Sequence, residues 1–164
     1  MQRRTDITEA WNRKYPEQVV LAITKNTEGR INLMAIGWVC VVSDDPPMFL
    51  LGIDDEAYSF ELIKQNKELV IAYPSKAMAE ATMYVGTVHG HNEDKGTKCG
   101  LKYSKAKCVD VPLLSDAVAN FECKLKNIYQ PGNCPLIVAE VIAAHVNSDE
   151  NIKRLTNFGG GKLD

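Results

Sequence analysis

The sequence lacks the features that mark membrane, secreted and nucleic-acid-binding proteins. It has no apolar run of membrane-spanning length, and polar residues follow the first six positions, where a signal peptide would have an apolar segment. The 19 Lys and Arg residues are scattered, and the net charge of −2 provides no basic surface for nucleic acid. We therefore expect a cytoplasmic protein with neither a membrane nor a nucleic-acid partner.

Disulfide frameworks and common catalytic motifs are also missing. The five cysteines are an odd number without Cys-x-x-Cys spacing, which favours reduced thiols, and we expect Cys40 and Cys123 to be small core residues of strands. There is no nucleophile elbow, Walker loop or zinc-finger spacing. The glycines at 159–161 do not follow a strand and open a helix, as a dinucleotide-binding loop would. Generic motifs therefore assign no chemistry.

What the sequence does contain is enough apolar residues for one core. With 164 residues and 45% hydrophobic content, we expect a single domain over residues 1–164. Residues 31–42 are nearly all apolar, which predicts a central strand buried on both faces. On one face Ala35 and Gly37 leave the main chain almost bare. This indicates either a bulge or tight packing, or a group that approaches the backbone closely.

The remaining elements are short strands and two helices. The polar turn at 25–30 predicts an antiparallel hairpin, and the Gly- and His-rich segment 86–101 predicts a surface loop with a function. About six strands with few helices predict a mainly β fold, a closed or nearly closed barrel, which leaves few unpaired edges. The further predicted strands are 19–24, 48–53, 69–73, 121–129 and 136–146, and the helices are 58–67 and 78–85.

The sequence resembles a known family in an ordered set of five segments along the chain. These segments are 32–38, 43–47, 58–63, 86–95 and 121–123. Together they resemble the flavin reductase-like FMN-binding split barrels, which include flavoredoxin-like electron carriers and NAD(P)H:flavin oxidoreductases. The resemblance covers residues 15–146. In that family a strand with the pattern Asn, any residue, Met, Thr or Ala, any residue, Ser or Gly, then Trp lies along the isoalloxazine ring. The matching residues here are Asn32, Met34, Ala35, Gly37 and Trp38.

The family's phosphate loop is only partly matched. Gly90 and Lys95 are kept, whereas His89 and His91 stand where the family has Ser and Arg. The resemblance implies that Lys95 binds the phosphate as a positive charge with three donors, unless it is an ordinary solvated lysine. An imidazole can also donate to a phosphate oxygen, so His89 and His91 are candidate replacements. Ser59, at the start of a helix, is either a further phosphate donor or a helix cap.

The resemblance implies non-covalent FMN, a homodimer with flavin near the interface, and a C-terminal tail whose Phe158 reaches the flavin. Three functions stay open. The first is an FMN oxidoreductase that takes electrons from NADH, NADPH or a redox-protein donor. The second is an FMN-binding electron carrier without nicotinamide activity. The third is a barrel that has lost flavin and binds a partner or a metal, the latter through His89, His91, Cys99 and Cys108.

Overall fold

A seven-stranded antiparallel sheet dominates the computed structural model, which describes residues 1–164. The strands of this sheet are β2 (Val20–Lys25), β3 (Ile31–Ile36), β4 (Val39–Asp44), β5 (Pro47–Gly52), β6 (Glu68–Tyr73), β9 (Ala119–Tyr129) and β10 (Leu136–Val146). Short strands β1 (Glu17–Gln18) and β11 (Thr156–Asn157) pair with each other, as do β7 (Tyr103–Ser104) and β8 (Leu113–Leu114). The helices are α1 (Ile7–Trp11), α2 (Tyr58–Asn66), α3 (Ala79–Thr87) and α4 (Lys95–Lys98), with a 3₁₀ turn at Lys76–Met78.

The order of the strands requires the sheet to curl into a barrel. The order is β3-β2-β6-β9-β10-β5-β4, so β3 and β4 form the two edges, yet only Gly37 and Trp38 separate them in the chain. A flat sheet of this size would place its edges about 29 Å apart, at a strand spacing of about 4.8 Å, which two residues cannot span. The sheet therefore curls round into a barrel that brings its two unpaired edges together at this link, and the predicted mainly β, nearly closed barrel is confirmed.

The prediction of one central strand over residues 31–42 is wrong. The chain breaks at Gly37 and Trp38 into two edge strands, and the side chains of Trp38 and Val41 are 57% and 62% exposed. A continuous apolar run does not reveal whether its residues face a core or an uncovered surface. The strands buried on both faces are β2 and β6.

Two hydrophobic cores explain the double burial of β2 and β6. Alternate residues of a strand point to opposite faces, so Val20 and Ile71 face the barrel interior, where α2 adds Phe60 and Ile63. Leu21 and the other intervening residues of β2 and β6 face outward, where α3 and the segment 101–117 cover them. Burying each large aliphatic side chain contributes about 1.5–3 kcal/mol, so both layers stabilise the barrel.

A buried carboxylate is one of the side chains that fasten the segment 101–117 to the sheet. Glu122 of β9 is 0% exposed and accepts hydrogen bonds from the N–H groups of Lys107, Cys108 and Val109. His145 of β10 donates from Nε2 to Glu122 Oε1 at 2.6 Å, since an ionised carboxylate can only accept. Burial alone raises the pKa of Glu122, but these four hydrogen bonds outweigh it and hold the pKa below its usual value.

Most predicted elements are found within one or two residues of their expected bounds. The helix predicted at 58–67 is α2, the one at 78–85 is α3, and the hairpin is the β2–β3 pair. The loop at 86–101 also contains the short α4, and the main sheet has seven strands rather than six.

All five cysteines are free. Cys123 is buried as expected, but Cys40 is exposed, because β4 is an uncovered edge strand, and its expected core position is wrong. None of the helices combines the length and apolar character needed to cross a membrane.

Candidate functional site

Three adjoining cavities follow β3 and form one surface feature, which we call the β3 groove. The first cavity, of about 390 Å³, lies between β3, the start of α2 and the end of α3. The second, of about 270 Å³, lies between β3, α3 and the C-terminal tail, and the third, of about 210 Å³, lies at the β3–β4 break. Ala35 lines all three cavities, so they are continuous at this residue.

The groove exposes main chain because β3 is an edge strand. Its only partner in the sheet is β2, so alternate N–H and C=O groups on the other side have no strand to pair with. Leu33 is one of these outward residues, since its C=O accepts from Lys95 Nζ at 2.9 Å. By the two-residue period the main chain of Ala35 points the same way, towards the second and third cavities, whereas Gly37 lies beyond the end of β3 and its C=O already accepts from the N–H of Val39 at 3.1 Å. Small side chains leave these groups accessible.

Asn32 supplies a free acceptor at one end of the groove. Its Nδ2 donates to Thr24 Oγ1 at 3.1 Å and to Ser59 Oγ at 2.9 Å, which fixes the carboxamide. Its Oδ1 is buried and has no hydrogen-bond partner. A Cβ at Gly90 would lie 2.0 Å from this oxygen, so only glycine fits there. Asn32 Oδ1 therefore lies against Gly90 in the wall of the first cavity, as a hydrogen-bond acceptor that the chain leaves unpaired.

Ser59 lies in the wall of the first cavity and does not cap α2. The side chain is 3% exposed, and the N-cap position belongs to Ala57, so the alternative role as a cap is wrong. Tyr58 and Ser59 place the positive end of the α2 dipole at the cavity, which favours a bound anion. Asp54 and Glu56 also line this cavity, so its charge is mixed.

Lys95 also lines the first cavity, but it is not a solvated loop lysine. It is 5% exposed, and its Nζ donates to the C=O groups of Leu33 and Val85, each at 2.9 Å. Burial lowers the pKa of this ammonium group below its usual value. Lys95 thus ties β3 to the end of α3 and places a positive charge beside the cavity, with one N–H of its three left over.

The remaining candidate residues divide between the groove and its surroundings. His89 lines the first cavity, and Met34 and Trp38 line the third. His91 lies outside all three cavities, with its ring 4.3 Å from the ring of Tyr58, centroid to centroid. Phe158 is 44% exposed and does not line the second cavity, although both of its neighbours do. No three His, Cys, Asp or Glu side chains are grouped as a metal site.

The structure adds groove residues that the sequence did not reveal, on α3 and the tail. Thr82 and Gly86 of α3 line the second cavity, and a Cβ at Gly86 would lie 3.3 Å from Ala35 Cβ, so α3 packs closely on β3. Pairing of β1 with β11 brings in Gly159, Gly160 and Gly161, all at positive φ. The glycine triplet was a visible signal, but its distant partner strand could not be read from local pattern.

A larger cavity, of about 620 Å³, lies elsewhere, beside the 3₁₀ turn and Cys99. It contains none of the candidate flavin-binding residues, and of the four candidate metal ligands it contains Cys99 alone. The protein has three buried side-chain polar atoms without a partner, on Asn32, Thr82 and Tyr103, and none of these residues lines it. Two of the three, Asn32 and Thr82, line the β3 groove. The groove, and not the larger cavity, is therefore the candidate ligand site.

Comparison with known proteins identifies the family of the chain. The flavin reductase like domain matches residues 12–162, nearly the whole chain. The chain belongs to the flavin reductase like family. Flavoredoxin from Methanosarcina acetivorans is 25% identical, with a TM-score of 0.83 over 95% of this chain and 86% of its own. The FMN-binding protein from Thermus thermophilus with bound 1-cyclohex-2-enone is 21% identical, with a TM-score of 0.86 over 100% and 94% of the two chains.

Two of the curated relatives are named for an activity, and each is an FMN reductase (NADH) RutF. The one from Agrobacterium fabrum is 23% identical over 80% of this chain and 73% of its own length. Together with the two structures it establishes the split-barrel fold of the flavin reductase like family for this chain. The groove lies on the strand that carries the family motif, from Asn32 to Trp38.

Proposed function

We propose that this protein binds FMN non-covalently in the β3 groove and works as an oxidoreductase. Electrons pass from NADH, NADPH or a redox-protein donor through the flavin to an acceptor. The observation that carries the proposal is the groove along the free side of β3, where Ala35 and Gly37 contribute almost no side chain and where Asn32 Oδ1 is left without a partner. Membership of the flavin reductase like family, and the names of its FMN reductase and flavoredoxin members, support it.

The charges of the groove favour one orientation of FMN. The phosphate is placed in the first cavity, where the N-terminus of α2, Ser59, His89 and the ammonium group of Lys95 offer donors and positive charge. The ring is placed along Ala35 and Gly37, with Trp38 at its far end. Asn32, between the two parts, is positioned to accept from a ribityl hydroxyl.

The chain's residues bind and orient the cofactor, and no side chain is needed as an acid or base. FMN, when bound, supplies the redox chemistry itself. Main-chain N–H groups on a rigid edge strand stabilise negative charge on a reduced ring, because they need no reorganisation. The C-terminal tail at Gly159–Gly161 covers the second cavity and limits access of water to it.

We further propose that the protein acts as a homodimer. The edge strand β4 leaves apolar side chains uncovered, with Val41 and Val42 exposed by 62% and 48%. An edge with unpaired main chain and apolar side chains is a typical place for a second chain. Trp38 lies beside this surface and lines the third cavity, so a partner would also close the ring end of the groove.

An FMN titration tests the proposal. We expect purified protein to quench FMN fluorescence on binding, with a dissociation constant in the micromolar range or below, about −8 kcal/mol or stronger. The loaded protein should then bleach on anaerobic addition of NADH or NADPH. Absence of FMN binding at 100 μM protein, about a hundredfold above that constant, would refute the proposal. Binding without bleaching by either nucleotide would instead identify the electron carrier.

A further inference from the structure

Thr82, in the middle of α3, holds a buried hydroxyl that nothing in the chain satisfies. The residue is 1% exposed, and its Oγ1 has no hydrogen-bond partner. A threonine inside a helix commonly donates to the carbonyl four residues earlier, but here that bond is not made. A buried polar atom without a partner costs free energy, and native proteins rarely keep one without a reason.

The position of Thr82 supplies that reason. It lines the second cavity together with Ala35 and Gly37, on the side opposite β3. Asn32 Oδ1, the other unpartnered atom of the groove, lines the first cavity. The two residues therefore stand on different elements and line different parts of one groove, which is the arrangement expected for two polar contacts to one elongated ligand.

We propose that Thr82 Oγ1 hydrogen-bonds to the polar, pyrimidine part of the flavin ring. This inference rests on the proposed function. The pyrimidine part of isoalloxazine carries carbonyl oxygens and ring nitrogens, whereas the dimethylbenzene part carries only carbon and hydrogen. A hydroxyl can donate to the former and also accept from it, but has no partner on the latter. A hydrogen bond to Thr82 therefore orients the ring with its pyrimidine part in the second cavity.

A purely structural role for Thr82 predicts different behaviour. Valine has nearly the same shape as threonine and a similar helix propensity, so Thr82→Val removes the hydroxyl and little else. If the hydroxyl serves a ligand, its loss leaves the apoprotein as stable as before or more stable, because an unsatisfied buried group disappears. Thr24→Val is the matched control, since Thr24 is also buried but its Oγ1 is paired with Asn32. That control should lower the free energy of unfolding.

The experiment combines binding with stability. Dissociation constants for FMN and for riboflavin, which lacks the phosphate, are measured by fluorescence for the wild type, Thr82→Val, Thr82→Ser and Ser59→Ala. We expect Thr82→Val to weaken both flavins by the same factor, about three- to tenfold for a neutral hydrogen bond. Thr82→Ser should retain most of the affinity. Ser59→Ala should weaken FMN more than riboflavin, because it lies at the phosphate end.

The other possible results distinguish a wrong role for Thr82 from a wrong FMN site. If the wild type binds flavin well and Thr82→Val binds it equally well, the proposed role of Thr82 is wrong, but the FMN site stands. A loss confined to FMN would place Thr82 at the phosphate and overturn the assigned ring orientation. Failure of the wild type to bind either flavin would overturn the proposed function and this inference together. Apoprotein destabilised by Thr82→Val as strongly as by Thr24→Val would show that the hydroxyl serves the fold.

Discussion

Gly37 lies where the second and third cavities of the β3 groove meet. A Cβ at this position would have one close neighbour, Glu17 Oε1 at 3.0 Å, which is the mobile end of a side chain. The fold therefore tolerates a larger residue here, although the groove does not. This separation of folding from binding makes Gly37 a sharp probe of the ring site.

We predict that Gly37→Val lowers FMN affinity by more than tenfold while the protein stays folded. The added side chain would occupy the space where the proposal places the ring, and the exclusion of a rigid ring costs more than one lost contact. The fluorescence titration measures the effect, and circular dichroism checks the fold. Gly132→Val is the control, because a Cβ at that turn glycine meets no atom within 4 Å. Unchanged affinity in folded Gly37→Val protein would place the flavin elsewhere.

Sequence reasoning succeeded for residues whose role is local and failed for those with distant partners. The small pair Ala35 and Gly37 was recognisable, because an interrupted side-chain surface shows in the strand itself. Lys95 was expected either at the phosphate or in solvent, and nothing local indicated that its Nζ donates to the carbonyl of Leu33, 62 positions away in the chain. Thr82 carried no signal at all, since a threonine in an apolar helix becomes notable only when its hydroxyl is found without a partner.

The segment 101–117 takes three of its hydrogen bonds to the sheet from one residue, Glu122, in addition to those from Asn120 and Glu68. It covers the outward face of β2 and β6, and its few strand residues in β7 and β8 do not reach the main sheet's ladder. Glu122 holds it through the three N–H groups of residues 107–109 and is itself oriented by His145. Loss of this carboxylate leaves those donors unsatisfied and loosens the outer core.

We predict that Glu122→Gln lowers the free energy of unfolding at pH 7 by about 2–4 kcal/mol, the cost of breaking a buried charge-assisted network. The direction in which this stabilisation changes with pH follows from the lowered pKa of Glu122. Its contribution is complete above the unfolded value of 4.5 and is lost as the pH falls through the lower, folded pKa. Urea unfolding at several pH values measures this, and the variant should lack that acid-dependent component.

Glu140→Gln serves as the control for Glu122. Glu140 forms an ion pair with Lys126 at 2.9 Å, but the Lys126 side chain is 56% exposed, and such surface pairs contribute about 0–1 kcal/mol. A stability loss in Glu122→Gln no larger than in Glu140→Gln would mean that the 107–109 segment is held by packing alone.

The helices and strands were largely predictable from the sequence, whereas the order of the strands in the sheet was not. Residues 31–42 have one uniform apolar character, yet they divide into β3 and β4 at opposite edges of the sheet. Periodicity reports which faces can be buried, but strand order is decided by pairings far apart in sequence, such as β2 with β6. The number of strands and the shortage of helices already predicted a barrel, and the family resemblance identified it as a split barrel.

At the scale of the whole molecule, β3 and β4 are the two ends of a sheet that curls without closing, and each end has a different use. The free side of β3 faces the groove, where α2, α3 and the tail cover it. The free side of β4 has no such cover, and its side chains at Val41 and Val42 are apolar. Uncovered apolar edge strands promote uncontrolled association unless a specific partner occupies them.

We predict that the protein has twice its chain mass of 18.2 kDa in solution and that Val41→Lys makes it a monomer. A charge placed in an apolar interface must be buried without a partner, whereas on the free surface it costs little, because Val41 is 62% exposed in the single chain. Light scattering coupled to gel filtration measures the mass. Ile7→Lys is the matched control, since Ile7 is 70% exposed on α1, away from the sheet, and should leave the dimer intact.

Because Trp38 borders both β4 and the third cavity, the monomeric variant should also bind FMN more weakly. A wild type that is monomeric at micromolar concentration, or a Val41→Lys variant that stays dimeric, would move the interface away from β4.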